Sequence, residues 1–336
     1  MAVVVLRRIC ALGALVLLAP TGCEIGPTGD FASFEGAITP RGVEDNSAQL
    51  NGFRLNGFGL NGFRLNGFRL NSGGLNSDED AEDYIEIVDV ELQGNKLATD
   101  AYLEDSKLYL FDKKGKAVAD NKIKHVTILY EMTDTSVGVI GGNKEVALRS
   151  VTALTPGSDV WLYTADVRES GGAWEPLCID AEGGATEAIL IGHAWDPATG
   201  ERLPDLDGTV TFACRGAALA KCIEWGYRPW AELAGVSLRD FHQACTRMVR
   251  ADYCGDGIAH TLTGTPIHVL DTLDIQIVDP NYTYAVEAEW GPDGAVCFNA
   301  ANARHPELTV DCSLPSCGGA FSSGGILQSG KILSGP

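Results

Sequence analysis

The sequence predicts a mainly β fold, a sandwich or barrel-like body carrying a two-helix, disulfide-rich insertion. Three observations carry that prediction. Short runs of β-branched, aromatic and aliphatic residues recur from Tyr84 to Phe298, separated by turn residues. One stretch, Lys221 to Gly257, breaks the rhythm with helical periodicity. Most cysteines lie in the same region as the strands and the helices. With 336 residues, 45% hydrophobic and 21% charged, the chain has the material for a buried core.

The N-terminus reads as an export signal. Arg7 and Arg8 precede an apolar run, Ile9 to Ala19, that is too short to span a bilayer as a mature helix. Pro20-Thr21-Gly22-Cys23 follows. A small residue just before Cys resembles a bacterial lipobox, although Pro20 stands where that motif usually has an aliphatic residue. Residues 1–22 are therefore expected to be a lipoprotein signal peptide and Cys23 the lipidated residue. The expected location is the cell envelope, lipid-anchored to the outer membrane, or the medium if the chain is secreted without lipid. Removal of Cys10 with the signal and use of Cys23 for lipid leaves Cys178, Cys214, Cys222, Cys245, Cys254, Cys297, Cys312 and Cys317. An even set suits a fully paired disulfide framework in an oxidising compartment.

Residues 23–49 are polar, contain Gly and Pro, and read as a flexible tether. Residues 50–76 are a five-residue repeat: Leu50, Leu55, Leu60, Leu65, Leu70 and Leu75 are each followed by Asn. Period five fits neither a helix nor a strand. It resembles repeats that wind into a square-sided β-helix, but there are too few coils here to bury a core of their own. The segment is expected to be a linker, or a cap that adds to another surface or another copy. Arg54, Arg64 and Arg69 make it a basic island, next to the acidic run Asp78 to Asp83.

The domain proper is expected over 84–317. Candidate strands are 84–92, 107–111, 125–131, 146–154, 159–167, 188–195, 208–214, 266–270, 273–278 and 283–290, with Gly291-Pro292-Asp293-Gly294 turning the chain into 295–298. The first helix is expected over Gly216 to Trp225, ended by Gly226. The second is expected to be capped by Ser237, with Asp240 completing a weak capping box. Leu238, Phe241, His242, Cys245, Met248 and Val249 then fall on one apolar face, which Arg239, Gln243, Arg247 and Arg250 avoid. The Gly/Ser-rich tail, 318–336, is expected to be flexible, although Ile326-Leu327 and Ile332-Leu333 could pack elsewhere.

The formal net charge of -20 argues against nucleic acid as a partner, because no basic stripe offsets phosphate. The expected partners are the membrane, through the N-terminal lipid, and an envelope protein or glycan. His242 and Cys245, one turn apart, admit a nucleophile with its base, metal ligation together with Cys254, or a core His beside a disulfide. Their place on the apolar face favours the last. Asp252 and Asp256 have Gly255 and Gly257 around them, but not at the spacing of a calcium loop, and Asp256 suits a turn. Glu287 and Glu289 share one face of a strand, where solvation is the ordinary fate. No phosphate loop, Gly-x-Ser-x-Gly elbow or His-Glu-x-x-His motif is present. No cofactor, metal or catalytic residue is therefore assigned; His242, Asp252 and Asp256 are the candidate functional residues. Trp225, Tyr227, Trp230, Phe241 and Tyr253, with the nearby arginines, form either a core or a carbohydrate or peptide groove.

At Arg250-Ala251-Asp252-Tyr253-Cys254-Gly255-Asp256-Gly257 the chain resembles the ADYC domain proteins, envelope proteins mostly from myxobacteria. Phe212-Ala213-Cys214-Arg215, Lys221-Cys222-Ile223-Glu224-Trp225-Gly226, Gly264-Thr265-Pro266-Ile267 and Gly294-Ala295-Val296-Cys297 fit the same pattern. The resemblance implies no particular activity. The expected function is a non-enzymatic, disulfide-stabilised surface lipoprotein, with Cys245 bonded to Cys222 on the neighbouring helix. The alternatives are a secreted hydrolase using His242, Asp252 or Asp256, and a module that binds glycans or envelope partners.

Overall fold

The structure is a computed structural model that describes most of residues 84–334, with short interruptions, together with Val43–Asn46 and Gly59–Leu60. The signal segment, Cys23 and nearly all of the tether and repeats lie outside the described residues.

In chain order the strands are β1 (Val43–Asn46), β2 (Gly59–Leu60), β3 (Tyr84–Leu92), β4 (Lys96–Leu97), β5 (Asp100–Glu104) and β6 (Lys107–Phe111). After a short helix, α1 (Asp120–Ile123), come β7 (Thr127–Asp134), β8 (Gly138–Ala153), β9 (Trp161–Glu169), β10 (Glu175–Pro176), β11 (Ala188–Ile191) and β12 (Val210–Cys214). Then α2 (Ala218–Glu224) leads through β13 (Glu232–Leu233) and β14 (Val236–Ser237) into α3 (Arg239–Arg250). The chain ends with β15 (Thr265–Asp271), β16 (Thr283–Gly291), β17 (Gly294–Phe298) and β18 (Leu327–Ser334). The larger sheet runs β2-β12-β11-β9-β8-β7-β3-β4, with β10 beside β9; the smaller runs β1-β15-β18-β16-β17. Neither closes into a barrel.

Strand alternation explains the layering. On β11, Ala188 and Leu190 join Leu108 and Leu110 of β6, Leu148 of β8 and Phe212 of β12 in one core. Ile189 and Ile191 point the other way, into a second core with Leu219, Ala220 and Ile223 of α2. The sheet is thus covered on both faces, by the β5–β6 hairpin and by α2. That is why Ala188 to Ile191 is a continuous apolar run rather than an alternating one. Ala218 and Cys222 of α2 turn towards a third core, shared with Met248 and Val249 of α3 and with Val269, Trp290 and Leu327 of the smaller sheet. The helix pair therefore lies between the two sheets, as a layer of the body.

Four sequence expectations are corrected. First, α3 is buried on all sides from Phe241 to Arg250, so Arg247 and Arg250 avoid the apolar face without reaching water. Second, Ser237 belongs to β14 and Leu238 is the N-cap of α3, which has no side-chain cap bond; the Ser237 hydroxyl accepts from Arg239 N–H at a long 3.3 Å. Third, of the strand expected over 273–278, the described residues 273–277 form no strand. The Asp271 carboxylate accepts from the N–H groups of Leu273 (2.8 Å), Ile275 (3.0 Å) and Gln276 (2.6 Å), winding the segment into turns in place of a ladder.

Fourth, the tail expected to be flexible supplies β18. This strand lies between β15 and β16 and bonds to both. Its small residues serve close packing: a Cβ added at Gly330 would meet the Tyr284 ring at 2.6 Å. All eight cysteines pair, as Cys178–Cys214, Cys222–Cys245, Cys254–Cys312 and Cys297–Cys317. Loop closures of this kind contribute roughly 2–4 kcal/mol each. The last two hold the long connection from β17 to β18 against the body.

Candidate functional site

Helix α2 and helix α3 are joined by Cys222–Cys245, each sulfur on the face that meets the other helix. His242 lies one turn before Cys245 and is 1% exposed. Its Nε2 is 3.1 Å from the Leu219 carbonyl of α2, and its ring lies against Trp195 at 5.6 Å. Burial pushes the imidazole down to about 3. A neutral imidazole whose Nε2–H donates to the Leu219 carbonyl holds two helices together; its remaining lone pair, on Nδ1, belongs to a side chain that water scarcely reaches.

The four signature residues Ala251, Asp252, Tyr253 and Cys254 each make a different attachment. Ala251 ends α3 in the left-handed region, φ 52°, and its N–H returns to the Met248 carbonyl. Asp252, 0% exposed, meets Arg247 at 2.5 Å and Arg250 at 3.7 Å, and accepts from Gly257 N–H. Burial raises its carboxyl, while the two guanidinium groups pull it down. The arginines extend the clasp: Arg247 donates to the Thr199 and Pro292 carbonyls, and Arg250 to the Gly257 carbonyl. Tyr253 stacks on Trp290 at 5.2 Å, and its hydroxyl donates to Glu287 at 2.7 Å. Cys254 reaches across to Cys312. Gly255 follows because a Cβ there would lie 1.8 Å from the Asp293 carbonyl oxygen in the β16–β17 turn.

Glu287, expected to be solvated, is 0% exposed and pairs with Arg304 at 2.7 Å. Burial alone would raise its carboxyl, but Arg304 holds it below the usual range. Ser329 of β18 also donates to it, at 2.8 Å. Glu289 is likewise buried and accepts from Ser323 and Gly325 N–H. Asp256 is exposed and accepts from Ile258 N–H at 2.9 Å, the turn role its sequence suggests. His242, Asp252 and Asp256 thus share no common cleft: the first faces α2, the second the two arginines, the third water. Among the described residues no three of His, Cys, Asp and Glu gather as a metal-ligating group, and no helix is long and apolar enough to cross a membrane.

Two further features lie away from His242, Asp252 and Asp256. Thr265 Oγ1 lies 2.6 Å from His305 Nε2, and His305 Nδ1 lies 3.0 Å from Glu307. Hydroxyl, imidazole and carboxylate occur in the order a nucleophile, its base and its orienting acid need. The acid, however, is 60% exposed and only two residues from the imidazole, so water competes for the contact that would orient the base. The chain of bonds cross-ties β15 to the β17–β18 connection. Thr265 stood in the Gly264 to Ile267 motif; nothing in the sequence tied it to His305.

The second feature is a cleft of about 510 Å³ where the β5–β6 turn, the end of β11 and the connection between the helices meet. Asp105, His193, Trp230, Glu232, Ser237 and Arg239 supply its polar and aromatic lining. Trp230 is held in place: its Nε1–H donates to Asp159 at 2.8 Å, and Arg228 donates to the other oxygen of that carboxylate at 2.5 Å. The Ser106 hydroxyl ties the β5–β6 turn to the Asp159 carbonyl at 2.7 Å. Burial, with help from Asp159 and Glu104, raises the Asp105 carboxyl. Trp225, grouped with Trp230 from sequence, is buried under α2 instead. Beside the cleft, Leu233 and Val236 at the β13–β14 turn are each 41% exposed.

The family model of the ADYC domain matches residues 121–304. The chain belongs to the ADYC domain family. No curated protein and no solved structure matches it. The match takes in both helices, the signature clasp and Arg304 of the buried ion pair. It stops short of Cys312, Cys317 and β18, which complete two of the disulfides and the smaller sheet of this ADYC domain.

Proposed function

We propose that this ADYC domain protein is a non-enzymatic, lipid-anchored envelope protein that binds an extracytoplasmic partner through the Trp230 cleft. One contrast carries the reading. Two of the three residues a hydrolase would call on are spent inside the fold, His242 on Leu219 and Asp252 on two arginines, and the third, Asp256, serves an exposed turn. The cleft instead gathers preorganised aromatic and polar side chains from three segments around an open concavity, as binding sites do. Four disulfides suit a protein kept in an oxidising compartment, and Gly22-Cys23 supplies the acceptor for the lipid.

The test uses the whole protein produced in a lipoprotein-processing bacterium. Alkynyl palmitate is expected to label the wild type and not Cys23→Ser, and the variant is expected to leave the membrane fraction. Retention of the lipidated protein on isolated envelopes is expected to fall in Trp230→Ala, measured at a temperature where the variant is folded. Retention indifferent to Trp230 would contradict the proposed site. Release of a cleaved envelope fragment, lost in Asp256→Asn, would favour a hydrolase.

A further inference from the structure

We infer that the Trp230 cleft takes a neutral oligosaccharide. The inference rests on the binding-module reading above and adds the class of ligand. Three features of the cleft point to it.

The first is the fixed indole. Its N–H is already committed to Asp159, so what Trp230 can offer a ligand is the ring face. An aromatic face attracts apolar C–H surfaces and cations. A pyranose presents such a C–H face, ringed by hydroxyls.

The second is the mixture of polar groups. Asp105 and Glu232 accept hydrogen bonds, Arg239 donates them, and Ser237 does both. A sugar hydroxyl is both donor and acceptor, so adjacent hydroxyls can use both kinds of group. An anion would meet two carboxylates in a chain whose net charge is -20. A cation would find the carboxylates but would meet the Arg239 guanidinium as well.

The third is shape and stiffness. The cleft is a half-open concavity of a size that suits a small ligand or a segment of a chain. Its aromatic wall is held before binding. Asp159 fixes Trp230 and, through Ser106, the Asp105 turn, so little ordering remains to be done when a weakly bound, hydroxyl-rich ligand arrives. The raised Asp105 carboxyl is consistent with a partly desolvated wall.

The test is an array of neutral and acidic oligosaccharides probed with the full mature lipoprotein, followed by titration of the binders against tryptophan fluorescence. Spermine serves as the cationic probe. Saturable binding of neutral glycans is expected, unchanged by raised salt because no ion pair is broken. Trp230→Ala is expected to weaken it about tenfold. Asp105→Asn tolerates the left-handed φ of 55° at that position, and it is expected to weaken binding about threefold or more without altering the fold. Should Trp230→Ala fail to fold, Asp105→Asn and Glu232→Gln carry the test. Binding confined to acidic glycans, no glycan binding, or glycan binding indifferent to all three variants overturns the inference. Salt-sensitive binding of spermine lost in Asp105→Asn overturns the ligand class and leaves the cleft as a binding site. New reducing ends released from a bound glycan overturn the non-enzymatic reading itself.

Discussion

Asp252→Asn tests the physics of the clasp. Asparagine keeps a side-chain oxygen for Gly257 N–H but removes the charge that two arginines face. The Arg247 and Arg250 side chains are 3% and 2% exposed, so water cannot replace the lost carboxylate. Removing one member of a buried ion pair costs about 3–5 kcal/mol. That is a large part of the roughly 5–15 kcal/mol by which a domain is stable. At ~2–4 °C per kcal/mol for a domain of this size, the melting temperature should fall by about 6–20 °C. Thermal unfolding followed by near-ultraviolet circular dichroism, with the disulfides intact, measures the shift. A triple variant, Asp252→Asn with Arg247→Met and Arg250→Met, should recover part of the loss, because the penalty lies in unmatched buried charge more than in lost attraction. A loss under ~1 kcal/mol in the single variant, or no recovery in the triple, would refute the argument.

Glu287 gives a pH-dependent counterpart. Its carboxyl is held low by Arg304, so the stability it contributes is present above the unfolded value near pH ~4.3 and is lost as pH falls through the lower folded value. Acid unfolding should therefore steepen below about pH 4.3 in the wild type. Glu287→Gln should be less stable at neutral pH and show a flatter acid limb; an unchanged limb would count against the pair. Truncation after Ile326 removes the strand between β15 and β16. Such a chain should lose its near-ultraviolet signal and yield readily to protease, although the whole of 121–304 is intact; melting like the full chain would show that β18 is dispensable.

Much of the fold was legible because strand alternation and helix periodicity act locally. The edges of β3 and β6 and the Cys222–Cys245 link between helix faces follow directly from residue pattern. What was not legible depended on partners far along the chain. Arg247 and Arg250 look like solvent-facing charges until Asp252 and the loops at 199 and 292 close over them. Glu287 looks solvated until Arg304 arrives beneath it. The Gly/Ser composition of the tail signals mobility in isolation, yet Gly330 is small because Tyr284 leaves no room for a side chain. The cleft is assembled from three separate segments; of its lining residues the sequence pointed to Trp230 and Arg239 near a groove and to Ser237 only as a helix cap. Asp252 illustrates both sides: its position was conspicuous, but its role required two arginines whose burial no local pattern reveals.

The stretch from Lys221 to Gly257 ties the two sheets together, with His242 spent on the contact between α2 and α3. Nuclear magnetic resonance titration of the His242 imidazole, by long-range nitrogen–proton correlation, tests it most directly. A core imidazole bonded to Leu219 should remain neutral as pH falls well below the ordinary histidine value of about 6.5, protonating only near 3 or as the domain unfolds. Reversible protonation of His242 near pH ~6.5 in the folded protein would place it in contact with water and contradict the claim.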